Sequence, residues 1–240
     1  MKGERNFSMQ KRAVLLGLVA VLLSLGHHDY ALASRPLQEF GMGSGQVSAE
    51  VSFGEKVKID QVTTKQDGKF AGNVTVAMSP RVAFQFGHHR SDAARDISVR
   101  NQNVLTHGAV TGPLEATDYL VVFNAVPKSM LTPGVNIYTG ARHVKLDVSG
   151  NIMGQNVSRK QSRTGGVLGA QVSYNIPLFA NVWLDTHYAN KEYGVEIGLS
   201  KEIVPKLDLD LSYYMDKYKY NEHHLDDKGF RAGLTFRFKP

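Results

Sequence analysis

Between Val74 and Phe86 the chain alternates. Val74, Val76 and Met78 are apolar, Ser79-Pro80 interrupts, and Val82, Phe84 and Phe86 resume the pattern. Thr75, Ala77, Ala83, Gln85 and Gly87 fill the positions between them. Alternation with a period of two is the mark of a strand with one apolar face. Ten stretches follow this rule: residues 46–55, 70–78, 81–90, 117–126, 134–146, 166–176, 178–189, 193–202, 206–218 and 229–238. Their other face collects Asp, Glu, Arg, Asn and Gly. A water-soluble sandwich needs an apolar interior and charges outside. A chain whose apolar face recurs on every strand while the opposite face carries charge suits a transmembrane barrel, apolar toward lipid and polar toward the lumen.

The connections support the same fold. Pro80, Pro127 with Pro133, Pro177 and Pro205 mark four short connections. Proline fixes φ and cannot donate to a central ladder, so it belongs in turns. Residues 54–69, 91–116, 147–165 and 220–228 are longer and polar, and only 190–192 is short on that side. Short turns at one end and long loops at the other are expected of an outer-membrane barrel, the short ones facing the periplasm. The expected fold is an all-β, antiparallel, up-and-down transmembrane barrel of about ten strands, with eight and twelve as the alternatives.

The first residues read as a leader. Lys2, Arg5, Lys11 and Arg12 precede the apolar run 13–25, and Ala31-Leu32-Ala33 supplies a small-x-small cleavage pattern. The run is shorter than the roughly 20 residues a spanning helix needs. Residues 1–33 are therefore expected to be a cleaved secretory signal and 34–240 the barrel domain. Removing Lys2, Arg5, Lys11 and Arg12 together with Glu4 and Asp29 takes +2 from the whole-chain +6 and leaves +4. The basic residues are scattered, so nucleic acid is not indicated as a partner. Cysteine is absent, which leaves hydrogen-bond ladders and packing to hold the fold.

With apolar residues assigned to lipid, the inward face is defined. It holds Gln46, Ser48 and Glu50, then Arg142, Asn181, Trp183, Asp185 and His187, then Glu196, Asp208, Asp210, Arg231 and Arg237. Buried charges persist only when paired and hydrogen-bonded, and a barrel of this size is barely wide enough for side chains to fill. The expected lumen is a plugged charge network of Glu50, Arg142, Asp185, His187, Glu196, Asp208, Asp210, Arg231 and Arg237. Gly140, Gly169, Gly194, Gly198 and Gly233 also face inward, relieving crowding and leaving room for narrow water-filled space. Aromatic girdles are expected from Phe179, Phe236 and Phe238 at the turn end and Tyr188, Tyr193, Tyr213 and Tyr218 at the other.

Three groups of residues carry types used in catalysis or metal binding. Ser173, Asp185 and His187 share the lumen, but their spacing matches no nucleophile-base-acid arrangement. His88-His89 with Asp92, and His223-His224 with Asp226-Asp227, contain metal-ligand residue types. Neighbours on a strand point to opposite faces, so His88 and His89 do not share an ion, and the second group reads as a solvated loop. No cofactor or resident metal is expected. Asn73-Val74-Thr75 and Asn156-Val157-Ser158 match the glycosylation pattern by chance, and the basic run 159–163 faces outward, where lipopolysaccharide phosphates would meet it.

The leader, the missing cysteine, the strand-Pro-turn-strand units and the closing Phe230-Arg-Ala-Gly-Leu-Thr-Phe-Arg-Phe238 together resemble small outer-membrane β-barrel proteins of diderm bacteria, with OmpA- or OmpX-like barrel architecture. The resemblance implies location in the cell outer membrane. It implies contact with outer-membrane lipid and lipopolysaccharide, and handling by periplasmic chaperones and the barrel-assembly machinery. It assigns the assembly signal to Phe236 and Phe238, although this chain adds Lys239-Pro240 after the aromatic residue that usually closes the strand. The expected role is non-enzymatic, structural or surface-interacting. A narrow porin-like channel is the alternative and a barrel hydrolase the third.

Overall fold

The computed structural model describes Leu37 and residues 40–59, 62–65, 69–101, 104–152, 155–189, 192–220 and 223–239. The expected leader lies outside the described residues. Eleven strands are described: β1 Gly45–Ile59, β2 Val62–Lys65, β3 Phe70–Ala77, β4 Val82–Asn101, β5 Val104–Val126, β6 Gly134–Ile152, β7 Gln155–Ile176, β8 Ala180–Ala189, β9 Glu192–Val204, β10 Leu207–Tyr220 and β11 His223–Phe238. Each pairs antiparallel with its neighbour, and β11 returns to β1 from Gly45↔Phe238 to Ile59↔Leu225, so the sheet closes. The short β2 is not an extra stave. It pairs with β1 at Lys56↔Lys65 in the same register in which β3 pairs at Val51↔Phe70. β2 and β3 thus form one interrupted stave, and the barrel has ten.

Burial runs inside out. Val47, Phe84, Phe86, Phe123, Ile137, Leu184, Ile197, Leu209, Leu234 and Phe236 are exposed, while Gln46, Ser48, Gln85, Asp118, Gln171, Glu196, Asp210 and Thr235 are buried. In water this would leave more apolar surface than a soluble monomer presents; in a bilayer it is the lipid-facing band. One sector of the lumen is apolar too. Leu120, Val122, Tyr138 and Val167 line it with Ala77, Ala83 and Ala189, and Leu37 packs into the same cluster. Leu37 reaches it because the chain reverses just before β1. Ser44 N donates to Gly41 O at 2.9 Å, Gly41 N donates to Ser44 Oγ at 2.9 Å, and Gly43 takes a φ of 76° that favours glycine.

The proline connections are tight turns at one end. Ser79 Oγ accepts from Arg81 N at 3.2 Å and Val82 N at 3.0 Å. Pro177 precedes Leu178 with φ 63°, and Phe179 N donates to Ile176 O at 3.1 Å, a type II arrangement. Lys206 after Pro205 has φ 69°.

At the other end the structure departs from expectation. Much of the supposed loops 91–116 and 147–165 is strand: β4 to β7 run 20, 23, 19 and 22 residues, against 10 for β8. β4 and β5 stay in register to Asn101↔Val104, and β6 and β7 to Ile152↔Gln155. Crossing the apolar band takes roughly 9 to 11 residues, so these four strands rise beyond it as a flange. On β7 the consecutive residues Ser162, Arg163 and Thr164 are all exposed, so both faces of that strand meet water there, whereas the backbone ladder that builds the strands is unaffected by which face is wet.

Candidate functional site

The inward positions form rows across neighbouring strands. Arg142 on β6 lies opposite Asp118 on β5, and the guanidinium holds both carboxylate oxygens, Nε to Oδ1 at 2.8 Å and Nη2 to Oδ2 at 3.2 Å. Both side chains are almost fully buried. Arg231 on β11 reaches over β10 to Glu196 on β9, and Ser212 on the strand between donates its hydroxyl to the same carboxylate. Tyr214 lies beneath the guanidinium, its ring centroid 3.9 Å from Arg231 Cζ, and Lys69 Nζ donates to the phenol oxygen at 3.3 Å. At the turn end Arg237 joins Glu202 and Asp208, with Nε 3.0 Å from Asp208 Oδ2. Thr235 donates to Asp210 at 2.6 Å.

A second strip crosses the middle. Tyr138 donates to Asp185 Oδ1 at 2.9 Å, and His187 lies with Nδ1 3.8 Å from Asp185 and Nε2 4.0 Å from Asp216. Trp183 Nε1 donates to Ser200 at 3.1 Å. Charge-assisted bonds of this kind are the strong ones in a low-dielectric interior.

The inward glycines do not leave water-filled gaps at any of the five expected positions. A Cβ at Gly169 would run into the Tyr138 ring, one at Gly194 into His187, and one at Gly198 into Trp183. In each case the bulky residue is the direct cross-strand partner. Glu50 likewise lies across Gly233. The space freed by each glycine is taken by its neighbour's side chain, so the wall locks laterally. Gly140 instead admits the backbone of β5 at Tyr119 and Leu120.

Every residue of the expected network except Arg237 is buried, and Arg237 is half-buried at the mouth. Asp118, Asp216, Tyr214, Tyr138 and Lys69 belong to it as well and were missed. Asp118 sits in a nearly continuous apolar run, DYLVVF, where alternation gives no sign of a face. Lys69 falls in the stretch 54–69 read as a loop, and Asp216 lies near the end of the strand 206–218. Among the described residues, the buried Glu50, Asp118, Asp185, Glu196, Asp208, Asp210 and Asp216 supply seven carboxylates against the three permanent cations Lys69, Arg142 and Arg231.

Ser173 is buried in the lumen, but the register sets Gly169, not Ser173, opposite His187. Four residues along a strand is about 13 Å, so Ser173 and His187 do not meet. His88 is outward and its Nδ1 lies 3.2 Å from Thr117 Oγ1, whereas His89 is buried on the inner face. Asn73 of the glycosylation pattern is also buried inside. The side chains of His223, His224 and Asn156 lie outside the described residues, and among the described residues no three His, Asp or Glu are grouped as for a metal. Open space collects at the turn end, in cavities of about 240, 450 and 460 Å³ beside Leu37, Lys128 and Arg237.

Of the expected girdle, Tyr188 and Tyr193 pair at the β8–β9 end, Tyr213 and Phe53 flank Phe230, and Phe179 and Phe236 are exposed near the turns. Phe238 is half-buried, its ring lying across Gly45 at the seam between last and first strands. Tyr218's side chain lies outside the described residues.

A closed antiparallel barrel with an apolar exterior, aromatic residues near both ends of the band and a charged interior is a transmembrane β-barrel of the outer-membrane type. No protein-family model matches the chain, and no curated protein matches it. Among solved structures it is similar to Ail, the attachment invasion locus protein of Yersinia pestis, at 16% identity and a TM-score of 0.41 over 82% of this chain and 99% of that one. It is also similar to Neisserial surface protein A, at 15% identity and 0.40 over 81% and 97%. The translocator domain of the autotransporter NalP from Neisseria meningitidis gives 12% identity and 0.47 over 96% and 97%. At such values these likenesses add no argument, and the class stands on the inside-out barrel.

Proposed function

We propose that this protein is a non-enzymatic outer-membrane barrel with a closed lumen, serving envelope structure and displaying its β4–β7 flange at the cell surface. The observation that carries this reading is the set of interior ion pairs. Arg142 with Asp118 and Arg231 with Glu196 occupy the lumen as buried pairs, each tying one strand to another. A conducting pore keeps its charged groups solvated; here the two buried guanidiniums are each bonded to a carboxylate. The flange supports the display role, since β7 pairs with β8 only from Val167 onward and β4 pairs with β3 only up to Arg90. Among the described residues, 155–166 and 91–101 thereby form the two open edges of the flange, suited to pairing with an extended partner.

Planar-bilayer recording on the folded protein tests the closed lumen. The expected record has no steady unitary current, and reproducible channel openings overturn the reading. A narrow cation-preferring path is the second reading, favoured by the excess of buried carboxylates over permanent cations. It predicts currents whose reversal potential follows K⁺ and not Cl⁻.

A further inference from the structure

At the turn end, open space gathers where the chain before β1 meets the first two proline turns. A cavity of about 460 Å³ lies there, within the range of about 300–1,000 Å³ that holds small ligands. Leu37 and Phe40 form its apolar wall, and Asn124, Asn136 and Ser173 supply carboxamides and a hydroxyl. Asn124 and Asn136 are direct partners on β5 and β6, and Ser173 on β7 lies opposite Gly134. All three polar residues are buried, so they share the inner face of adjacent strands. Lys128 and Lys239 line the same space, and none of the described residues around it is acidic.

Lys128 is held over this cavity. Pro127 and residues 129–133 of the same turn are exposed, whereas Lys128 is half-buried. Its stem lies against Gly134, where a Cβ would come within 2.7 Å of the Lys128 Cβ. Its ammonium donates to Asn181 Oδ1 at 3.2 Å, across 53 residues of chain. Lysine carries donors only, so the amide atom it meets is the oxygen. Asn181 is buried, and its Nδ2 has no acceptor among the described residues. A lysine on a surface turn ordinarily extends its ammonium into water. Here it is turned inward by a neutral partner, which orients the charge without cancelling it. Lys128 and Asn181 also line the adjoining cavity of about 450 Å³, whose acids Glu202 and Asp208 are both engaged by Arg237. Deeper in the lumen, buried carboxylates outnumber permanent cations among the described residues, so an anion entering from the turn end is held at the mouth.

The geometry points to a binding site for a short peptide with a free carboxylate and an apolar side chain. Lys128 takes the carboxylate. Asn124 and Asn136 both donate and accept, as the N–H and C=O of a peptide group require, and Leu37 and Phe40 cover the apolar side chain. A fatty acid or an inorganic phosphate offers no amides to this polar floor. Asn181 is a positioning residue, acting through Lys128. The site is independent of whether the lumen conducts.

The test is isothermal calorimetry on the folded protein in detergent, with N-acetyl-alanyl-leucine, its C-terminal amide, octanoate and inorganic phosphate as probes. Saturable heat is expected for the free acid, with each of the other three at least about tenfold weaker, the worth of one charge-assisted hydrogen bond. Lys128→Gln is expected to lower the affinity for the acid about tenfold, and Lys128→Arg to keep most of it. Asn181→Asp keeps an acceptor for Lys128 but neutralises it, so binding falls by a similar factor while the urea midpoint does not drop. Were Asn181 only a tether for the turn, that variant would bind as the wild type does. Lys145→Gln, exposed toward the other end of β6, leaves binding unchanged. Heat-modifiable gel migration checks that each variant is folded. No saturable heat with the acid, equal binding of the amide, octanoate or phosphate, or wild-type affinity in Lys128→Gln or Asn181→Asp each overturns the proposal.

Discussion

Arg231 and Glu196 are the pair whose removal most directly probes the lumen. Substituting Arg231→Met strands Glu196 with only the Ser212 hydroxyl, while Asp185 and Asp216 lie within electrostatic reach of it. Three like charges then share one buried region. Substituting Glu196→Gln is milder, because Arg231 keeps the Tyr214 face beneath it and the fields of Asp216 and Glu50. Breaking a buried pair from one side costs about 3–5 kcal/mol, and a desolvated cation–π contact adds up to about 2 kcal/mol. Arg231→Met is expected at the upper end of the 3–5 range and Glu196→Gln at the lower. The double variant Glu196→Leu/Arg231→Met removes both charges together and is expected to cost no more than about 2 kcal/mol, since apolar replacement of a buried pair is often near neutral. The assay is urea unfolding of the barrel in lipid vesicles, followed by tryptophan fluorescence of Trp183 and by heat-modifiable migration. Single-variant losses under 1 kcal/mol, about the worth of an exposed pair, would refute a zipped interior. So would a double variant whose loss equals the sum of the singles.

Gly198→Val forces a side chain into the place of the Trp183 ring; overpacking costs about 1–3 kcal/mol, and adding Trp183→Ala should restore part of it in urea unfolding followed by heat-modifiable migration, because Trp183 is the chain's single tryptophan. Leu178→Gly and Lys206→Gly relieve left-handed backbone at φ 63° and 69°, and each should raise the urea midpoint by the equivalent of about 1 kcal/mol. Gly45→Val clashes with the Thr75 carbonyl and with the Phe238 ring at the closing seam; it is expected to slow formation of the heat-modifiable species more than Gly72→Val, whose Cβ would meet only ordinary contact, and adding Phe238→Ala should relieve only the part due to the ring. Equal folding rates for the two variants would show that close packing at Gly45 plays no part in closure.

The membrane class, the strand directions and most of the inward charges were legible because a bilayer imposes the period-two code directly. Where lipid wets one face and the lumen the other, residues such as Val74 and Thr75 must differ in kind. The code failed where that contrast ends. Residues 91–101 and 155–165 are strand, yet a backbone ladder leaves no apolar signature of its own, and on β7 Ser162, Arg163 and Thr164 are exposed on both faces. It failed again at Asp118, inside an apolar run whose inner positions, Leu120 and Val122, face an apolar sector of the lumen.

The sequence by itself determined that Glu196, Asp208, Asp210, Arg231 and Arg237 face inward, because alternation fixes a side of the sheet. Which charge meets which was decided only by the tertiary structure. Partners are set by stagger between strands and by reach across the lumen: Arg142 finds Asp118 beside it, Arg231 passes over β10 to Glu196, and His187 settles on Gly194 between two carboxylates. The alternation of Val74 to Phe86 carries no information about stagger. That comes from ten staves closing on one another, and it turned a list of inward charges into a locked interior.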